Sequence, residues 1–109
     1  MNRAEAITLA RGAAKEHGYA LTVHGTLKRD VDLVAVPWIE AASSARKLAV
    51  AIAEAVGETD CAESIRDGHT KPSRRAHGRR AFAIHVFRNS EAKDHGWYLD
   101  LSIMPRSRG

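Results

Sequence analysis

Residues 19–37, YALTVHGTLKRDVDLVAVP, decide the fold. Tyr19, Leu21 and Val23 alternate with Ala20, Thr22 and His24, the period of a strand with one apolar and one polar face. Lys28, Arg29 and Asp30 form a polar turn. Residues 31–36 are then almost continuously apolar, interrupted by Asp32, and Pro37 ends the run because proline has no N–H to give a ladder. Two strands joined by a turn need a further layer over their apolar face to be stable.

Helical segments stand on both sides of this pair. Asn2 and Glu5 have capping-box spacing and Gly18 is a C-terminal stop, so residues 3–17 read as a helix with a thin apolar stripe of Ile7, Ala10 and Ala14 and with Leu9 to one side. A second helix falls between Ile39 and Val56, where Ala41, Ala45, Leu48, Ile52 and Val56 recur at helical steps and Gly57 closes the segment. Residues 58–79 read as a long loop with at most a turn of helix around Ala62–Arg66, and loops of that length usually carry function or are disordered. Two more strands follow. Phe82, Ile84 and Val86 alternate with Ala83, His85 and Phe87, and after a polar loop Trp97, Leu99, Leu101 and Ile103 alternate with Tyr98, Asp100, Ser102 and Met104. Pro105 ends the last strand before a basic tail. The order αββαββ predicts an α+β two-layer sandwich: a four-stranded antiparallel sheet with two helices on one face, equivalent to a permuted ferredoxin-like fold.

A chain of 109 residues makes a single domain, 1–109, large enough for a core without disulfide staples. No apolar run approaches the roughly 18 residues of a membrane helix, so no membrane partner is expected. The opening MNRAEAITLARG is charged and amphipathic, unlike a signal peptide, and the single Cys61 fits a reducing, cytoplasmic setting. Cys61 also lies beside Asp60 and Glu63, which would weaken it as a nucleophile. His69 and His77 lack thiols nearby for a zinc site, and the glycines do not form a phosphate loop.

Charge is concentrated. Residues 66–80, RDGHTKPSRRAHGRR, hold six basic residues and one acid, Asp67, so this segment carries +5 in a chain whose total is +4. Arginines dominate it, and their planar forks suit phosphate or carboxylate, so Arg74, Arg75, Arg79 and Arg80 are candidate anion ligands. A solvated arginine-rich loop without a ligand is the competing reading.

Strand alternation puts His24, Thr26, Asp32, His85, Tyr98 and Asp100 on the sheet face away from the helices. His24, Thr26, His85 and Tyr98 join the four arginines as candidate ligand-binding residues. Asp32 and Asp100 interrupt apolar strands, where a charge must be paired or metal-bound. With Asp30 they are candidate ligands for Mg²⁺, and salt bridges to Arg79, Arg80, Arg88 or a histidine are the alternative. Val34, Val36, Phe87 and Met104 fall on the same face and call for a cover, so a homo-oligomer, a ligand or a partner protein is expected over it.

Gly25-Thr26 followed by Asp30-Val31-Asp32-Leu33 resembles the polymerase-β-like nucleotidyltransferases, in which a Gly-Ser turn precedes an Asp-x-Asp strand and a third Asp lies on a later strand. The resemblance implies phosphate contacts at Gly25 and Thr26 and Mg²⁺ at Asp30, Asp32 and Asp100; the helix that the family places between turn and Asp pair is missing here. Segments 24–38, 77–85 and 98–106 resemble small proteins encoded by tailed phages of proteobacteria, a group without an assigned activity. That resemblance implies the cytoplasm of a bacterial host and roles in replication, nucleotide handling or interference with host defence.

Three functions follow, in order. The first is binding of a nucleotide or other phosphorylated anion, with the arginine-rich loop clamped over the polar face and no catalysis required. A divalent-metal enzyme of nucleotidyltransferase type comes second, and an inhibitor that binds a host protein third.

Overall fold

The computed structural model describes residues 1–25, 30–87 and 96–106. Its elements are α1 (Arg3–Glu16), β1 (Tyr19–His24), β2 (Val31–Pro37), α2 (Ala45–Ala55), α3 (Thr59–Arg66), β3 (Ser73–Arg74), β4 (Arg80–Val86) and β5 (Trp97–Ile103), with a 3₁₀ turn at Ala76–Gly78. Thr26, Lys28 and Arg29 of the first turn, Arg88, the expected hairpin loop after it up to residue 95, and the end of the basic tail lie outside the described residues.

The sheet has five strands in the order β1-β2-β5-β4-β3. Three of its pairings are antiparallel, but β2 and β5 run parallel, with Asp32 opposite Asp100 and Leu33 opposite Leu101. This overturns the four-stranded antiparallel sheet with two helices and its permuted ferredoxin-like form. The physical reason lies in the crossover. After β2 the chain passes through α2 and α3, re-enters the sheet at its far edge as β3 and turns back as β4, which leaves one strand position open between β2 and β4. The β4–β5 pairing then brings β5 back into the gap beside β2, and in the same direction. Residues 58–79 are likewise not one long loop, because they contain α3, β3 and the 3₁₀ turn.

The helices cover one face of the sheet. Ala6, Ala10 and Ala14 of α1, Leu48 and Ile52 of α2 and Ile65 of α3 share a single buried cluster with Leu33, Ile84, Leu99 and Leu101. Small residues on α1 let that helix approach closely, which accounts for its thin stripe. Both halves of its capping box form: Asn2 Oδ1 accepts from the Glu5 N–H at 2.8 Å, and Glu5 Oε1 accepts from the Asn2 N–H at 3.2 Å. Helix α2 starts later than its apolar spacing suggests. Ser44 is its N-cap, accepting from the Lys47 N–H at 3.3 Å, and Ala41 is exposed ahead of the helix.

Polar contacts fix how the layers meet. Tyr19, buried at the start of β1, donates from its hydroxyl to the Ser43 carbonyl at 2.7 Å, and His17 Nδ1 lies 2.8 Å from Ser43 Oγ. Glu58, at the α2–α3 junction, is 1% exposed. Its Oε2 accepts from the Phe87 N–H at 2.9 Å, tying that junction to the end of β4. Trp97 is buried at the start of β5 beneath the Arg3 guanidinium, 5.2 Å from the ring centroid. Among the described residues no helix is long and apolar enough to cross a membrane.

Gly18 has φ +84°, and a Cβ there would lie 2.8 Å from Ile39 Cγ1 and 2.9 Å from Ala42 Cα. Gly18→Ala is expected to cost about 2 kcal/mol or more, since strain and backbone contact act together. Gly12, inside α1, has nothing within 4 Å of such a Cβ, so Gly12→Ala should gain about 0.5–1 kcal/mol. Urea denaturation of the two variants checks this, and shifts of the same sign would contradict it.

Candidate functional site

The sheet face away from the helices is built in rows set by strand register. His24, Asp32, Asp100 and Ala83 lie side by side across β1, β2, β5 and β4. The next row holds Thr22, Val34, Ser102, Ala81 and Ser73. On the other side, roughly 7 Å away along the strands, Tyr98 pairs with His85. Alanines at 81 and 83 leave a hollow here. The result is a cleft of about 310 Å³ lined by His24, Asp32, Asp100, Ser102 and Ser73, with Arg75 and Arg79 brought in from the segment between β3 and β4.

Asp32 and Asp100 are adjacent because parallel strands put equivalent residues side by side. Burial pushes the Asp100 carboxyl above its ordinary value of 3.8. The negative charges of Asp30 and Asp32 add to this, Arg75 opposes it, and a hydrogen bond with Asp32 favours the protonated form. Asp30 stands at the entrance to β2 and accepts from the Tyr98 N–H at 3.0 Å. Gly25 also borders the site, since a Cβ there would be 3.6 Å from Asp32 Oδ2. Among the described residues no three His, Cys, Asp or Glu side chains are grouped to hold a metal ion. The three aspartates are thus electrostatic neighbours without the grouping of a Mg²⁺ ligand set. Among the described residues no ion pair joins Asp32 or Asp100 to Arg79, Arg80 or a histidine, and Arg88, the other expected partner, lies outside them.

One edge of the face is aromatic. The His85 and Tyr98 rings stack at 4.4 Å with 9° between their planes, and Phe87 lies 5.0 Å from His85 at 34°. Tyr98 and Phe87 are 41% and 47% exposed, so ring surface is open to a ligand. Within the cleft, Ser102 Oγ is buried and has no hydrogen-bond partner among the described residues. A buried hydroxyl left unmatched is costly and calls for a partner.

The sequence-predicted residues are only partly assembled. His24, Arg75, Arg79, Asp32 and Asp100 meet in the cleft, with His85 and Tyr98 beside it on the same face. Arg74 and Arg80 do not join them. They are cross-strand partners on the helix side of the sheet, and Arg80 lines a different cleft. Ser73 and the alanines that make room were not singled out from the sequence, although the small residues at every second position of RAFAIH were a usable signal.

Compared with protein-family models, curated proteins and solved structures, the chain matches none.

A carboxyl with a raised folded-state pKa favours folding fully below its unfolded value, and this contribution is lost as pH rises through the raised value. Asp100→Asn removes that loss. The variant should be more stable than the parent by up to about 0.5 kcal/mol near pH 7, because the site is partly open to solvent, and unchanged near pH 3. Denaturation at both pH values decides the matter, and a loss at neutral pH would show that the Asp100 charge stabilises the fold.

Proposed function

We propose that the protein binds a nucleotide or a closely similar phosphorylated ligand on the sheet face away from the helices. The observation that carries this reading is that Arg75 and Arg79 line a cleft on the same face as the exposed Tyr98 ring, which stacks on the half-buried His85. Aromatic rings that present their faces accept a base by stacking, and guanidinium groups hold phosphate with charge-assisted, often bidentate bonds. The carboxyl pair lies between these two ends. Asp32 and Asp100 would accept from the ligand's hydroxyls, as acidic residues do with ribose. This arrangement needs neither a metal nor a bond-breaking step.

Calorimetric titration with nucleoside mono-, di- and triphosphates and with the parent nucleosides tests it. Phosphorylated ligands are expected to bind and the nucleosides to bind at least about tenfold more weakly, the worth of one or two charge-assisted bonds. Replacing Arg75 and Arg79 together by alanine should weaken binding by about tenfold or more. Both are loop residues, so folding stability should change by no more than about 1 kcal/mol. Tyr98→Ala should weaken base-dependent affinity without altering the salt dependence, which comes from the arginines. Absence of nucleotide binding at about 1 mM, or binding indifferent to both sets of substitutions, would remove the reading.

A further inference from the structure

The arginine-rich segment contributes to a second cleft, on the opposite side of the sheet from the proposed nucleotide site. It has a volume of about 320 Å³ and opens between the N-terminus of α2 and the ends of β4 and β5. Arg46, Arg80 and Arg106 line it, and no carboxylate does among the described residues. Phe82 and Ile103, both buried, form an apolar floor with Met104 and Pro105.

Charge has been gathered here against its own repulsion. Arg74 stands directly opposite Arg80 across the β3–β4 ladder, an arrangement in which like charges destabilise a sheet. Arg46 lies in the first turn of α2, where the helix dipole already favours negative charge and disfavours a cation. Arg106 reaches back to donate to the Ala42 carbonyl at 3.3 Å, which keeps its guanidinium beside the approach to that helix. Three cations over an apolar floor, two of them in positions that cost stability, have a common remedy in a bound anion. The floor adds a further requirement, since a bare inorganic ion would leave it uncovered.

We infer that this cleft is a second ligand site, which takes a phosphorylated compound with a compact apolar or aromatic group, the phosphate held by Arg46, Arg80 and Arg106 and the apolar group lying on Phe82, Met104 and Pro105. The site stands independently of the nucleotide reading, because it shares no lining arginine with the open face.

Phenyl phosphate titrated into the ¹⁵N-labelled full chain tests it, with phenol as the uncharged control. The amides of Ala45, Arg46, Met104 and Arg106 are expected to shift with phenyl phosphate and to stay in place with phenol. Replacing Arg46 and Arg106 together by alanine should weaken binding by about tenfold or more, whereas the Arg75→Ala, Arg79→Ala protein should bind within about twofold of the parent. Should loss of the Arg106–Ala42 contact unfold the double variant, Arg46→Glu, which alters an exposed side chain alone, must produce the same weakening. The proposal is overturned by shifts centred on Ala83 and Asp100 instead, by equal affinity in the two double variants, by phenol binding as well as phenyl phosphate, or by no shift at about 10 mM.

Discussion

The parallel pairing of β2 with β5 is the constraint on which the molecule depends. It places two strands that are apolar on their covered side at the centre of the sheet, where Val31, Leu33 and Ala35 lie beside Leu99, Leu101 and Ile103 under the helices. It also dictates the route of the chain. Parallel neighbours cannot be joined by a tight turn, so the connection must cross the sheet, and α2 and α3 are that crossing. On the other side of the sheet the same register sets Asp32 against Asp100. Had the strands met antiparallel with the hairpins kept, other residues would face each other at that point. The core and the carboxyl pair are two consequences of a single geometric fact.

Much of the local structure was legible in the sequence. The reciprocal cap of Asn2 and Glu5, the stop at Gly18 and the alternation in all four long strands each have a short-range physical cause. Strand pairing was not legible, because a period of two says which face a side chain takes and nothing about which strand lies alongside or in what direction. Helix α3 reads in the sequence as no more than a turn around Ala62–Arg66, for a different reason. Its N-cap, Glu58, makes no side-chain capping bond, and only Ala62 and Ile65 form its buried side, so neither the start signal nor the apolar stripe was strong. The burial of Glu58 follows from the same fold, since its carboxylate is needed at the Phe87 N–H on an element far away in sequence. Within the candidate site, the shared face of His24, Asp32, His85, Tyr98 and Asp100 could be read from alternation. The separation of the arginines could not, because β3 is too short to leave a pattern.

That separation changes what the basic segment means. Four arginines close in sequence suggest one clamp, but backbone pairing sorts them to two sides of the sheet. Arg75 and Arg79 accompany aromatic rings and carboxyl groups, whereas Arg80 accompanies an apolar floor and a helix start, with Arg74 opposite it. The two surroundings differ in what they offer a ligand besides charge. On one side there are carboxylate acceptors and ring faces; on the other there is a hydrophobic bed with guanidinium donors and no carboxylate among the described residues.

The order of strands also bears on how the protein can be divided. Joining Val31 to Leu99 closes most of the chain into one loop, which makes this the entropically expensive pairing and one that local structure cannot form. Each carboxyl therefore resides in a half of the chain that carries only one of them. A fragment holding α1, β1 and β2 has Asp32 and His24 but lacks Asp100, both loop arginines and the aromatic pair, and the complementary fragment has the reverse deficit. The sheet's central seam is thus an assembly checkpoint, and a chain cut between its halves loses the site unless the two pieces find each other.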